Sequence, residues 1–123
     1  MDSLEREESP LLISADKVKG TDVYNASNEN LGSVEDIMID KRSGKVAYAV
    51  MSFGGFLGIG EKYHPLPWAM LQYDPDQDGY RVSLSREQLE RAPAYGRNET
   101  VNYTDDTWNR RVHSYYDLPY GIL

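Results

Sequence analysis

The chain of 123 residues contains no cysteine. That excludes a disulfide framework, a thiol nucleophile, cysteine-ligated zinc and iron–sulfur clusters, and it is compatible with a reducing cytosol. No apolar run approaches the ~20 residues needed to span a bilayer. The opening residues, MDSLEREES, are acidic and lack the apolar centre of a secretory signal. A cytoplasmic protein without a transmembrane segment is therefore expected. Positive charge is also scarce, with 13 Lys and Arg against 20 Asp and Glu, a net charge of −7. Most of such a surface repels a phosphate backbone, so direct contact with nucleic acid is not expected.

What is present is enough for one small domain with its own core. Residues 1–10 read as a flexible acidic tail. Leu11 to Ile13 can form a short strand, and Ser14 can cap one helical turn that stops at Gly20. Six strands follow: TDVYNA, LGSVEDIMID, KVAYAVMSF, KYHPL, LQY and YRVSL. In the second, Leu31 and Val34 differ in parity, while Ile37 and Ile39 agree. A bulge between Gly32 and Asp36 would turn all four inward. The third is apolar on both faces, with Val46, Tyr48 and Val50 on one and Ala47, Ala49 and Met51 on the other, so it should be central and covered twice. Pro65 places the fourth at an edge or a strand end, and PWAML can make one helical turn. LSREQLERAP is the clearest helix, with Ser85 and Gln88 as a capping box and Leu84 and Leu89 as the staple. Residues 96–123 read as a linker and then an aromatic helical tail, where Trp108, Val112 and Tyr115 or Tyr116 recur at helical spacing.

Several stretches imitate functional motifs. GGFLGIGEK carries Glu61 where a phosphate loop needs lysine and Lys62 where it needs a hydroxyl, so it reads as a strand connection. Six short strands and then one helix suggest a small β-barrel, and the apolar loop residues Phe56, Leu57 and Ile59 either plug its open end or face a partner. DPDQDG, Asp74 to Gly79, copies the first half of a calcium loop, but Ser85 stands where the bidentate glutamate belongs, so a hairpin turn is expected. His64 has Glu61 close in sequence, but no serine–histidine–acid constellation can be read, so it reads as a structural or exposed histidine. Glu35, Asp36 and Asp40 read as polar strand and turn residues, and Trp68 and Tyr73 as packing. No catalytic residue, cofactor or metal ligand can be assigned, and the chain reads as not an enzyme.

The order of motifs from GTDVYNASNENLGSVEDI through GGFLGIGEK, the P-W element and Y-D-P to SREQLERAP resembles the PRC-barrel family over about Leu12 to Tyr95. The W-N-R-R-V-H-S-Y-Y tail is similar to an extension on some bacterial members. The resemblance implies an all-β fold, a small six-stranded barrel over residues 11–95 with one short C-terminal helix and the aromatic tail. The same domain forms the cytoplasmic part of the photosynthetic reaction centre H subunit and the C-terminal part of a ribosome maturation factor, where it serves assembly. The expectation is thus a non-enzymatic bacterial interaction module, forming a homodimer or meeting another protein through Phe56, Leu57, Ile59, Trp108, Tyr115 and Tyr116. A small-molecule or ion-binding barrel and a ribosome-associated factor are the alternatives.

Overall fold

A computed structural model describes residues 12–54, 60–96, 98–99, 101–103 and 106–119. The segment Phe56, Leu57 and Ile59, expected to plug the barrel or face a partner, lies outside the described residues. After a one-turn helix α1 (Ala15–Val18), whose first turn is capped by the Ser14 hydroxyl, the chain forms β1 (Asp22–Tyr24), β2 (Asn30–Ile39), β3 (Val46–Phe53) and β4 (Lys62–Pro67). A 3-10 turn (Trp68–Met70) leads to β5 (Gln72–Asp74) and β6 (Gly79–Arg81). Then come helix α2 (Arg86–Glu90), β7 (Tyr95–Gly96) and helix α3 (Asp106–Tyr115). The expected turn at Ser14–Gly20 and the six expected strands are all present; of the expected Leu11–Ile13 strand, Ile13 forms a bridge and Leu11 lies outside the described residues.

Seven strands, not six, build one sheet among the described residues, in the order β5-β6-β1-β2-β3-β4-β7. The added strand is two residues long and pairs only with Lys62 and Tyr63. Two residues cannot display the alternation by which a strand is read from sequence. The sheet is also not closed into a barrel, since β5 and β7, the end strands, do not pair with each other. Strands of three and two residues supply too little ladder for the staggered pairing that closure requires. The ends nonetheless approach: Trp68, just after β4, meets the Tyr80 ring of β6 at 5.5 Å. Side chains fill the seam where backbone pairing is missing.

The bulge in β2 is present. Val34 pairs with Met51 and Asp36 with Val50, so Glu35 is the extra residue. This places Leu31 and Val34, 3% and 1% exposed, in the core, with Ile37 packed against it. Ile39 is the exception to the expectation, at 52% exposure. A second shift between Met38 and Ile39 pairs Ile39 with Val46 and turns it to the opposite face. At Gly32 a glycine is obligatory: φ is +156°, and a Cβ would lie 1.9 Å from the Ser52 carbonyl oxygen.

Strand β3 is covered twice, as its two apolar faces require. Its Ala49, Met51 and Phe53 join Val23, Leu66 and Leu89 in the apolar cluster inside the curve of the sheet. Its Tyr48 and Val50, also buried, face the other way, and Tyr48 meets α3. Pro65 pairs with Val50 on β3, while the other side of β4 is paired only as far as Tyr63, so its missing N–H falls where the strand has become an edge. The capping box at α2 forms as expected: Gln88 N donates to Ser85 Oγ at 3.1 Å, and Ser85 N donates to Gln88 Oε1 at 2.8 Å.

Candidate functional site

Helix α3 defines the face on which the functional candidates collect. Its anchor is a buried polar chain: Tyr48 Oη donates to Asn109 Oδ1 at 2.9 Å, and Asn109 Nδ2 donates to the Tyr103 carbonyl at 2.6 Å. The Tyr48 ring lies 5.6 Å from His113 and 5.9 Å from Tyr103. Tyr103 is held well above the usual phenol range, first by burial and then by its hydroxyl contact with Tyr95. Burial lowers the His113 pKa, and a hydrogen bond to the Pro119 backbone partly opposes it. Val112, on the same helix, is fully buried. Helix α3 therefore packs on the sheet of its own chain.

The tail residues expected to meet a partner divide accordingly. Trp108 is half-buried, with the Arg111 guanidinium 5.6 Å from its ring centre and Tyr95 edge-on at 6.5 Å. Tyr116 packs against the central core, and burial pushes its phenol pKa up. Tyr115 is 39% exposed, and its hydroxyl donates to the Gln88 carbonyl. The three do not form one exposed patch; each is engaged with the domain. Phe56, Leu57 and Ile59 are among the residues not described.

Two grooves flank this face. The first, about 370 Å³, lies where β3 begins and α3 ends; Val46, Ala47, Pro67, Trp68, Leu118 and His113 line it. Exposed Ile39 pairs with Val46 at its margin. Sequence reasoning did not single out Val46, Ala47 or Leu118, which come together only when the tail returns to β3. The second groove, about 420 Å³, lies where β3 ends and β4 begins, between Phe53, Lys62 and His64 on one side and Glu90, Ala92 and Arg111 on the other. His64 is 2% exposed, and its Nδ1 is buried without a hydrogen-bond partner. Burial, aided by the Lys62 charge, pushes its pKa down to about 4, so the ring is neutral near pH 7.

The Asp74–Asp78 turn is organised by its own chain. Asp74 Oδ2 accepts from Arg81 Nη2 at 2.7 Å, its Oδ1 accepts from Asp76 N at 3.0 Å, and Tyr73 Oη donates to Asp78 Oδ1 at 2.7 Å. The Arg81 bond holds the Asp74 carboxyl below the usual range. Among the described residues, no group of three or more His, Asp or Glu side chains could hold a metal ion. No helix among them is long and apolar enough to cross a membrane.

A curled, mostly antiparallel sheet with a short capped helix after β6 defines a small barrel-like domain whose outer face is dressed by a tail helix. The chain belongs to the PRC-barrel family: the PRC-barrel domain model matches residues 11–89. No curated protein matches the sequence. Among solved structures, a 16S ribosomal RNA processing protein, RimM, of Pseudomonas aeruginosa is similar at 19% identity and a TM-score of 0.39, over 67% of this chain and 49% of that one. The chain thus spans about half the length of that protein.

Proposed function

We propose that the chain is a non-enzymatic PRC-barrel interaction module, and that it docks a basic protein partner in the groove between the start of β3 and the end of α3. The observation that carries this reading is the groove itself, apolar along Val46, Ala47, Pro67 and Leu118 and continued by exposed Ile39. An apolar concavity beside an exposed apolar side chain is the kind of surface that meets another protein. Charge selects the partner. At −7 the chain as a whole attracts a basic surface and repels a second copy of itself, with Lys45, the charged residue lining the groove, set against that field. Homodimerisation through the same groove is the competing form. A cytoplasmic location accords with this role.

The test is affinity capture from the native cell with the wild-type chain and with Val46→Arg, which fills and charges the groove. A basic protein retained by the wild type at low salt and lost with Val46→Arg, at unchanged melting temperature, supports the reading. Equal retention by both chains refutes it. Light scattering at micromolar concentration separates the dimer from the heteromeric form. The ribosome-associated alternative is checked in parallel by co-sedimentation with ribosomal subunits.

A further inference from the structure

The second groove holds a group that the fold does not explain. His64 sits on β4 opposite Met51, on the face that carries the apolar cluster. Its ring is 5.6 Å from that of Phe53. An imidazole there gives up its water, and Nδ1 regains no hydrogen bond from the chain. A buried polar atom without a partner destabilises the fold, and such groups are few in folded proteins. A leucine at this position would fill similar space without that cost. The buried imidazole makes sense if something outside the chain engages the ring.

The surroundings say what that is. The groove that His64 lines has a volume of about 420 Å³, within the ~300–1,000 Å³ usual for small-molecule sites. Phe53, Ala92 and Ala94 give it apolar walls. Lys62 and Arg111 also line it, and neither is held by an ion pair among the described residues. Among the described residues that line the groove, Glu90 is the one acid. Two cations against one acid, with His64 neutral, leave this groove positive in a chain whose net charge is −7. A positive, partly apolar recess in an acidic surface attracts a ligand with one negative charge and an apolar body, and Glu90 disfavours a second negative charge. Among oxyanions that description fits a carboxylate better than a phosphate.

We propose that the groove between Phe53, His64 and Arg111 is a binding site for a small organic carboxylate. Lys62 and Arg111 receive the carboxylate, and the Phe53 ring and Ala92 contact the apolar body beside the buried His64 ring. The site is independent of the protein-docking groove, and its failure would leave that reading untouched.

The experiment is an NMR titration of the full chain that follows the His64 ring resonances, with benzoate, neutral benzamide and inorganic phosphate as probes. Benzoate is expected to shift the His64 ring saturably, and benzamide and phosphate to bind far more weakly. The double variant Lys62→Gln/Arg111→Gln changes two exposed side chains and gives up the Arg111 contact with the Trp108 ring, so its melting temperature should fall only slightly while benzoate is weakened by about tenfold or more. Three results overturn the proposal: no saturable shift of His64 with benzoate, equal affinity for benzamide, or unchanged affinity in the double variant. Phosphate binding tighter than benzoate overturns the assignment to carboxylates.

Discussion

The two faces of β3 are buried to nearly the same degree and by opposite chemistry. Ala49 and Met51 on the inner face and Val50 on the outer face are all 2% exposed or less, and Tyr48 beside Val50 is 5% exposed. The inner face meets aliphatic groups from β1, β2, β4 and α2, and its stability comes from excluded water and close packing. The outer face is sealed by one helix through rings and hydrogen bonds, Tyr48 to Asn109 and Asn109 to Tyr103. Apolar packing is non-directional and tolerates imperfect geometry, whereas the hydrogen-bonded cover is specific and costs stability when half-broken. The inner face should therefore govern global stability, and the outer face should govern whether the tail stays down.

The sharpest test is Met51→Ala, which empties a fully buried site on the inner face. A loss of about 4 kcal/mol in a single cooperative urea transition is expected, and a loss below about 1 kcal/mol would break the comparison. Next is acid. His64 is the polar member of the inner face, and its neutral form is favoured by the fold, with a pKa near 4 against an ordinary 6.5. Between those values the unfolded chain binds the extra proton. Stability is thus complete above pH 6.5 and falls as pH drops toward 4, by roughly 3 kcal/mol at the lower limit. The buried His113 adds in the same direction, while Asp40 and Asp74, whose pKa values are lowered, act only at more acid pH. Denaturation at pH 7 and pH 4.5 should show a smaller fall in His64→Leu than in the wild type; equal falls would remove His64 as the cause.

Asn109→Ala probes the outer face. It leaves the Tyr48 hydroxyl without its acceptor and the Tyr103 carbonyl without its donor, at about 2 kcal/mol. Hydrogen exchange should quicken in α3 while β2 and β3 stay protected. Uniform loss across the sheet would show that the two faces are not separable. The smallest expected effect is Ser85→Ala, which removes one half of the α2 capping box at a cost of about 1 kcal/mol. It touches neither face of β3, and its thermal shift sets the scale for a purely local change.

Features carried by neighbouring residues were legible before the structure. The Ser85–Gln88 box, the β2 bulge and the double covering of β3 each follow from side-chain spacing within ten residues. Features made by distant residues were not. Strand β7 is defined by Lys62 and Tyr63 far earlier in the chain, and the exposed position of Ile39 by a second slip against Val46. The candidate site was the least legible part. Val46, Ala47 and Leu118 are unremarkable apart, and become a groove only because Asn109 finds Tyr48. His64 stood out as a histidine on a strand, but its value lies in the distant Arg111 that joins Lys62 beside it and in the missing hydrogen bond, and neither is written in its neighbours.

The parallel pairing of β1 with β6, Val23 opposite Tyr80, has a consequence for synthesis. Strand β1 can zip onto β2 as soon as both leave the ribosome, since they are neighbours in the chain. Its other edge waits until β2, β3, β4 and β5 have been made. During that interval the nascent chain carries an open strand edge able to pair with another copy. The strand left paired on one side for the longest stretch of synthesis is thus Asp22–Tyr24. Slower translation between β4 and β6 should lengthen that exposure, and faster passage should protect the chain.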